Sequence, residues 1–302
     1  MSRKTLHVYL DRNAYRPGET VKGRIEVAWP KASPVRGVRV GLIGSESTSI
    51  TVTTHRGKER KSTTYSESRS LIGEEIDLFG GPPVGWLRAS SDALGRLFGR
   101  QDYPVLRAGK HTYRFEFRLP DDAPPSFEGT HAEVNYEVHA VVDVPLGPDL
   151  TFRGVVPVLP PEGLRLAACK GRTEQSGLLK ADVAMVLRTD ACRLEAGERL
   201  AGRIVVRNRS SKKIRGVTIR LQAVEEAQAE GHERTVTHEL NEGYLPAPDP
   251  PGADQDVTFE IPVNGPFPYE GAYSRLSYRL EWTLDTVLGF DTTVSAGLEV
   301  EA

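Results

Sequence analysis

Gly18-Glu19-Thr20-Val21-Lys22-Gly23-Arg24-Ile25 returns late in the chain as Gly197-Glu198-Arg199-Leu200-Ala201-Gly202-Arg203-Ile204, an offset of 179 residues. The same offset carries Arg36-Gly37-Val38-Arg39-Val40-Gly41-Leu42 onto Arg215-Gly216-Val217-Thr218-Ile219-Arg220-Leu221, with no gap between the two matches. Further on, Phe117-x-x-Pro120 meets Phe259-x-x-Pro262, Phe127-Glu128-Gly129 meets Tyr269-Glu270-Gly271, and Tyr136 and Asp143 meet Tyr278 and Asp285, now at an offset of 142. The difference between the offsets places 37 extra residues in the first copy, between Leu42 and Phe117. Matches in one order at two constant offsets predict an internal duplication, which sets the fold before any single element is read.

Within the repeated stretches the hydrophobic pattern has period two. Leu6, Val8 and Leu10 alternate with His7 and Tyr9; Val21, Gly23, Ile25 and Val27 alternate with Lys22, Arg24 and Glu26. Tyr113, Phe115 and Phe117, then Val134, Tyr136 and Val138, repeat the pattern, as do Val217, Ile219 and Leu221, and Leu276, Tyr278 and Leu280. Side chains that alternate in this way put one face of a strand in a core and the other in water. Many short strands parted by Gly, Pro and Asp turns predict antiparallel sandwiches. One helix is expected, from Trp86 to Phe98, where apolar residues fall at three- and four-residue spacings after Pro82 and Pro83 and before Gly99. The chain divides into an N-terminal sandwich over 1–163, an irregular connector over 164–180 and a C-terminal sandwich over 181–302.

Composition narrows the function. A length of 302 residues suffices for two cores, and 39 basic against 41 acidic residues leave a net charge of −2, with no global field to draw nucleic acid. The two cysteines, Cys169 and Cys192, make no Cys-x-x-Cys pair, so no zinc site, other metal site or cofactor is expected. The N-terminal residues alternate instead of entering an apolar run, and no stretch has the ~18 consecutive apolar residues of a membrane span, so a cytoplasmic protein is expected. No His-Glu-x-x-His, Gly-x-Ser-x-Gly or phosphate-loop motif occurs. The adjacent carboxylates Glu74/Glu75, Asp121/Asp122 and Glu225/Glu226 point to opposite faces of a strand and read as solvated surface charge. The expectation is a protein without catalytic residues.

Tyr15-Arg16-Pro17-Gly18-Glu19 followed by Val21-x-Gly23, then His111-Thr112-Tyr113-Arg114-Phe115-Glu116-Phe117-Arg118-Leu119-Pro120, then Val134-Asn135-Tyr136-Glu137-Val138, resembles the N-terminal domain of arrestin-like proteins. That family takes in arrestins, the retromer subunit of arrestin fold and bacterial sporulation-control relatives. The second copy, from about Ala181 onward, resembles the arrestin C-terminal domain. The resemblance implies an all-β fold of two tandem arrestin-like, immunoglobulin-like antiparallel sandwiches, with one short helix in the first. It also implies a non-enzymatic scaffold, adaptor or regulatory protein that binds other proteins through sandwich surfaces and strand edges. The Pro-Pro-x-Tyr motif of ligase adaptors has only Pro124-Pro125-Ser126-Phe127 as its nearest match, which points to a general scaffold. The excess of arginine over lysine leans toward a bacterial member.

Two stretches are candidate binding sites. His55, Arg56, Lys58, Arg60 and Lys61 surround Gly57 at an expected hairpin tip and form a candidate anion site. Trp86, Leu87, Leu94, Leu97 and Phe98 form the apolar stripe of the inserted helix, expected to pack on its own sandwich and otherwise to meet a partner. The partner expected is one or more proteins, with weak membrane-surface contact through these two stretches as the alternative. A secreted sugar-binding module is the third reading, disfavoured by an aromatic content of 7%.

Overall fold

The computed structural model describes residues 3–57, 59–80, 103–145, 147–168, 174–176, 183–189, 192–193, 198–208, 213–246, 254–287 and 292–301. Every regular element among them is a strand, so the fold is all-β. The expected helix over Trp86–Phe98 lies outside the described residues. The chain forms two compact units. The first comprises Met1–Glu46, Ser68–Ser126 and Glu133–Leu159, and the second Ser47–Glu67, Phe127–Ala132 and Pro160–Ala302.

In the first unit β1 (Thr5–Leu10), β2 (Thr20–Trp29) and β7 (Gly109–Arg118) form an antiparallel sheet with β2 in the middle. A second sheet runs in the order β10 (Leu150–Val155), β9 (Ala132–Asp143), β4 (Gly37–Arg56), β5 (Glu59–Gly80), with β8 (Phe127–Glu128) beside β9. The far ends of β4 and β5, together with β8, count in the second unit. A short pair, β3 (Ser33–Pro34) with β6 (Val105–Leu106), completes the first unit. Val21, Ile25 and Val27 of β2, Phe115 and Phe117 of β7, Val38, Val40 and Leu42 of β4, and Val134, Tyr136 and Val138 of β9 are all buried. These are the alternate positions picked out by period two, and they form the inner faces of a sandwich.

The second unit has a three-stranded sheet, β13 (Val183–Thr189), β15 (Arg199–Asn208), β18 (Asp254–Pro262), again with the middle strand in second place. Its larger sheet runs β14 (Cys192–Arg193), β11 (Arg165–Ala168), β21 (Thr292–Glu301), β20 (Ser274–Thr286), β16 (Ile214–Ala229), β17 (His232–Pro246). Beside it, β12 (Glu174–Ser176) pairs with β21 and β19 (Tyr269–Glu270) with β20. The order β21-β20-β16-β17 parallels β10-β9-β4-β5. Part of the stretch expected as an irregular connector is strand, because Arg165–Ala168 and Glu174–Ser176 both find antiparallel partners on β21. A pairing to a strand more than a hundred residues away leaves no local periodicity to read.

Two devices shape the sandwiches. Arg16-Pro17-Gly18-Glu19 is a type II turn: the Glu19 N–H donates to the Arg16 carbonyl at 3.0 Å, Pro17 presets the first central residue and Gly18 takes φ +75°. A Cβ on Gly18 would also fall 2.5 Å from the Asp121 carboxylate. The second device is a buried tyrosine that ties its strand to a preceding proline. Tyr136 donates its hydroxyl to the Pro124 carbonyl at 2.8 Å, and Tyr278 to the Pro266 carbonyl at 2.9 Å. Burial pushes the Tyr136 phenol well above its usual pKa, so the hydroxyl keeps the proton it donates.

Candidate functional site

Of the two stretches singled out in the sequence, Trp86, Leu87, Leu94, Leu97 and Phe98 lie outside the described residues. The basic run does sit at a hairpin tip, between β4 and β5. The two strands are joined there by hydroxyl pairs, Thr51 with Thr64 and Thr53 with Ser62, each at 3.0 Å. Gly57 takes φ +64°, which is why a glycine occupies the turn. His55, Arg60 and Lys61 are exposed, Arg56 ends β4, and Lys58 lies outside the described residues. Exposed cations on a narrow ribbon can meet an anionic surface, yet they enclose nothing and hold no ligand by shape.

A more constructed arrangement centres on Glu225. Along β16 the inward positions are Val217, Ile219, Leu221, Ala223, Glu225, Ala227 and Ala229, so the carboxylate occupies a core position and is 1% exposed. This overturns the reading of Glu225 as surface charge; Glu226 is exposed as expected. Burying a carboxylate is costly unless donors replace its water. Here three consecutive backbone N–H groups do so: Thr130 donates at 2.8 Å, His131 at 2.6 Å and Ala132 at 2.9 Å. His238 on β17 places Nε2 3.1 Å from the second carboxylate oxygen. Burial alone would raise the Glu225 pKa, but the three N–H donors and His238 outweigh it and hold the carboxyl below the ordinary glutamate value. Gly129 makes room, since a Cβ there would come within 2.7 Å of the carboxylate carbon. The signal available in the sequence was the register of Glu225 with Leu221 and Ala223, four and two residues earlier on the same face.

The first unit carries a different charged group, on the outward face of its larger sheet. Asp143 accepts from Arg36 at 2.7 Å and from Arg39 at 3.0 Å, Arg39 also reaches Glu75 at 3.5 Å, and the His139 Nε2 lies 3.5 Å from Glu75. The His139 ring lies over Gly41, where a Cβ would come within 2.4 Å of it. Beside them, Asp77 keeps one carboxylate oxygen buried without a hydrogen-bond partner. Its pKa is raised, chiefly by burial and further by Glu75, against the pull of Arg39. His131, at the Glu225 turn, and His139, on this outer face, serve separate networks. Among the described residues no group of three or more His, Cys, Asp or Glu could hold a metal ion, and no helix is long and apolar enough to cross a membrane.

Residues 6–165 match the family described as arrestin (or S-antigen), N-terminal domain. Over 134 residues the chain is 28% identical to human arrestin domain-containing protein 1, and over 140 residues 26% identical to arrestin domain-containing protein 17 of Caenorhabditis elegans. These alignments cover 44% and 46% of this chain. They span only 24% and 30% of those relatives, so the likeness is to one part of longer proteins. The matched region runs from β1 through β10, the stretch that carries the type II turn, the Tyr-x-Phe-x-Phe strand and the Tyr136 tie. The antiparallel sandwich, these devices and a family match covering more than half of its length together show that the chain belongs to the arrestin family.

Proposed function

We propose that the chain is a non-enzymatic scaffold or adaptor, built from a duplicated sandwich, that binds other proteins through sandwich surfaces and strand edges. The observation that supports this most directly is strand β17. Among the described residues it pairs only with β16, it runs for 15 residues without one buried side chain, and Tyr244 on it is 53% exposed. Among the described residues the stretch of this edge around Tyr244 has no second strand beside it, which suits strand addition by an extended peptide with Tyr244 as an aromatic anchor. Affinity capture from source cells, repeated with Tyr244→Lys, tests the reading: a partner retained by the native chain should be lost by the variant. A partner list that Tyr244→Lys leaves unchanged would move the site away from β17.

A second reading is favoured by the exposed Arg60 and Lys61, with His55 beside them: peripheral attachment to an anionic membrane through the hairpin tip. Flotation with vesicles containing phosphatidylserine, at low and at physiological salt, separates the two readings. A cytoplasmic location and a bacterial source belong to the same proposal; the arginine excess is what favours the source.

A further inference from the structure

We propose that residues 127–132 and the hairpin arm 47–67 are detachable parts of the second unit, and that Glu225 is the latch carboxylate that decides whether they are held. Glu225, the turn that holds it and the arm with its contacts all belong to that unit. Thr130, His131 and Ala132 turn three successive N–H groups toward one point, and a Gly129 N–H to Ala132 carbonyl bond of 2.9 Å closes the turn that aims them. Such a backbone nest is an anion receptor, filled here by a side chain more than ninety residues away. The flanking Phe127 ring packs on Tyr269 with centroids 5.4 Å apart.

The arm is joined to the turn and gripped beside it. The Ser49 N–H donates to the His131 carbonyl at 2.8 Å, and the buried Thr48 hydroxyl donates to the Gln228 carbonyl at 2.7 Å. At the next turn Tyr65 stacks on His232 at 3.9 Å, and the Ser66 N–H donates to the Glu230 carboxylate at 3.3 Å. Glu230 has φ +48°, a left-handed conformation that a glutamate adopts at a cost, and Gly231 follows at +79°. A β16–β17 turn with two positive φ values suits Asn-Gly or Gly-Gly; glutamate in the first place gives up backbone ease for a side chain that reaches the arm. The grips are hydrogen bonds and two ring contacts, Phe127 with Tyr269 and Tyr65 with His232, whereas the core of β20 is built of the buried Leu276, Leu280, Trp282 and Leu284. Loss of the central carboxylate would therefore free the segments and leave the sandwich intact.

Hydrogen exchange followed by mass spectrometry on the full chain tests this. In Glu225→Gln, which keeps the shape but loses the charge, the amides of Thr130, His131 and Ala132 should exchange about 100-fold faster, the equivalent of about 2.7 kcal/mol of lost charged hydrogen bonding. Peptides from 47–50 and 64–67 should accelerate with them, while those covering Val134–Val142 and Leu276–Leu284 keep native protection. His238→Gln should give a smaller change in the same amides. The proposal is overturned if 130–132 stay as protected as in the native chain, or if 276–284 accelerate equally, which would mark Glu225 as a general stability residue. Should Glu225→Gln fail to fold, Glu230→Gly gives an independent measurement, because it relieves the turn while removing the grip. Faster exchange at Ser66 in a chain at least as stable supports the latch, and unchanged exchange there refutes it.

Discussion

Asp77 in the first unit and Glu225 in the second are both carboxylates drawn away from water, and they titrate in opposite directions. The difference lies in what replaced the water. Glu225 receives three backbone N–H groups and an imidazole, so its ionised form is favoured even though almost none of it is exposed. Asp77 keeps one oxygen buried without a donor, and the nearby Arg39 is shared with Asp143 and Glu75. Burial by itself therefore says little about a carboxylate; the count and aim of donors decides its sign.

The largest expected effect comes from Glu225→Ala. With the carboxylate gone, the N–H groups of Thr130, His131 and Ala132 lose their acceptor, at a local cost of about 3–5 kcal/mol, read as faster hydrogen exchange of those three amides than in Glu225→Gln while Leu276–Leu284 keep native protection. Asp77→Asn should instead be neutral or stabilising at pH 7. Equal losses for the two variants would break the comparison.

The aspartates at matching places in the two units sharpen it. Asp143 is 15% exposed and holds two guanidinium groups, whereas Asp285 is 28% exposed and pairs with Arg215, itself 58% exposed. Asp143→Asn should cost about 1–3 kcal/mol, and Asp285→Asn less than about 1 kcal/mol, because solvent screens the second pair. The tyrosine ties should show no such asymmetry. Tyr136→Phe and Tyr278→Phe each leave one proline carbonyl without its donor, and each should cost about 1 kcal/mol in thermal or chemical unfolding.

The smallest and most specific effects are in pH dependence. The depressed Glu225 pKa gives stability that is fully present above the ordinary glutamate value of 4.5 and is lost as pH falls through the lower folded value. Asp77 has the reverse sign: its contribution is present below 3.8 and is lost as pH rises through its raised folded value. Denaturation midpoints between pH 3 and 6 should thus rise more steeply with pH in Asp77→Asn than in the native chain, and less steeply in Glu225→Gln. Identical slopes in the two variants would remove the assignment of opposite signs.

Period two and the two constant offsets already determined which residues form the inner faces. Val21, Ile25, Val38, Val40, Tyr136 and, in the later half, Ile219, Leu221 and Tyr278 are buried where alternation places them, because strand geometry ties side-chain direction to the next residue but one. The Pro17-Gly18 turn was legible for the same local reason. What only the tertiary structure decided are partnerships at a distance. Whether an inward glutamate at 225 is an error in the pattern or a designed contact depends on N–H groups at 130–132, more than ninety residues earlier, and no local pattern encodes their aim. The strands at Arg165–Ala168 and Glu174–Ser176 exist because β21 offers them an edge, and the grouping of 47–67 and 127–132 with the later half of the chain follows from packing. Local sterics and hydrophobic alternation act over a few residues and can be read directly; donors, charges and strand edges meet only after the chain has folded.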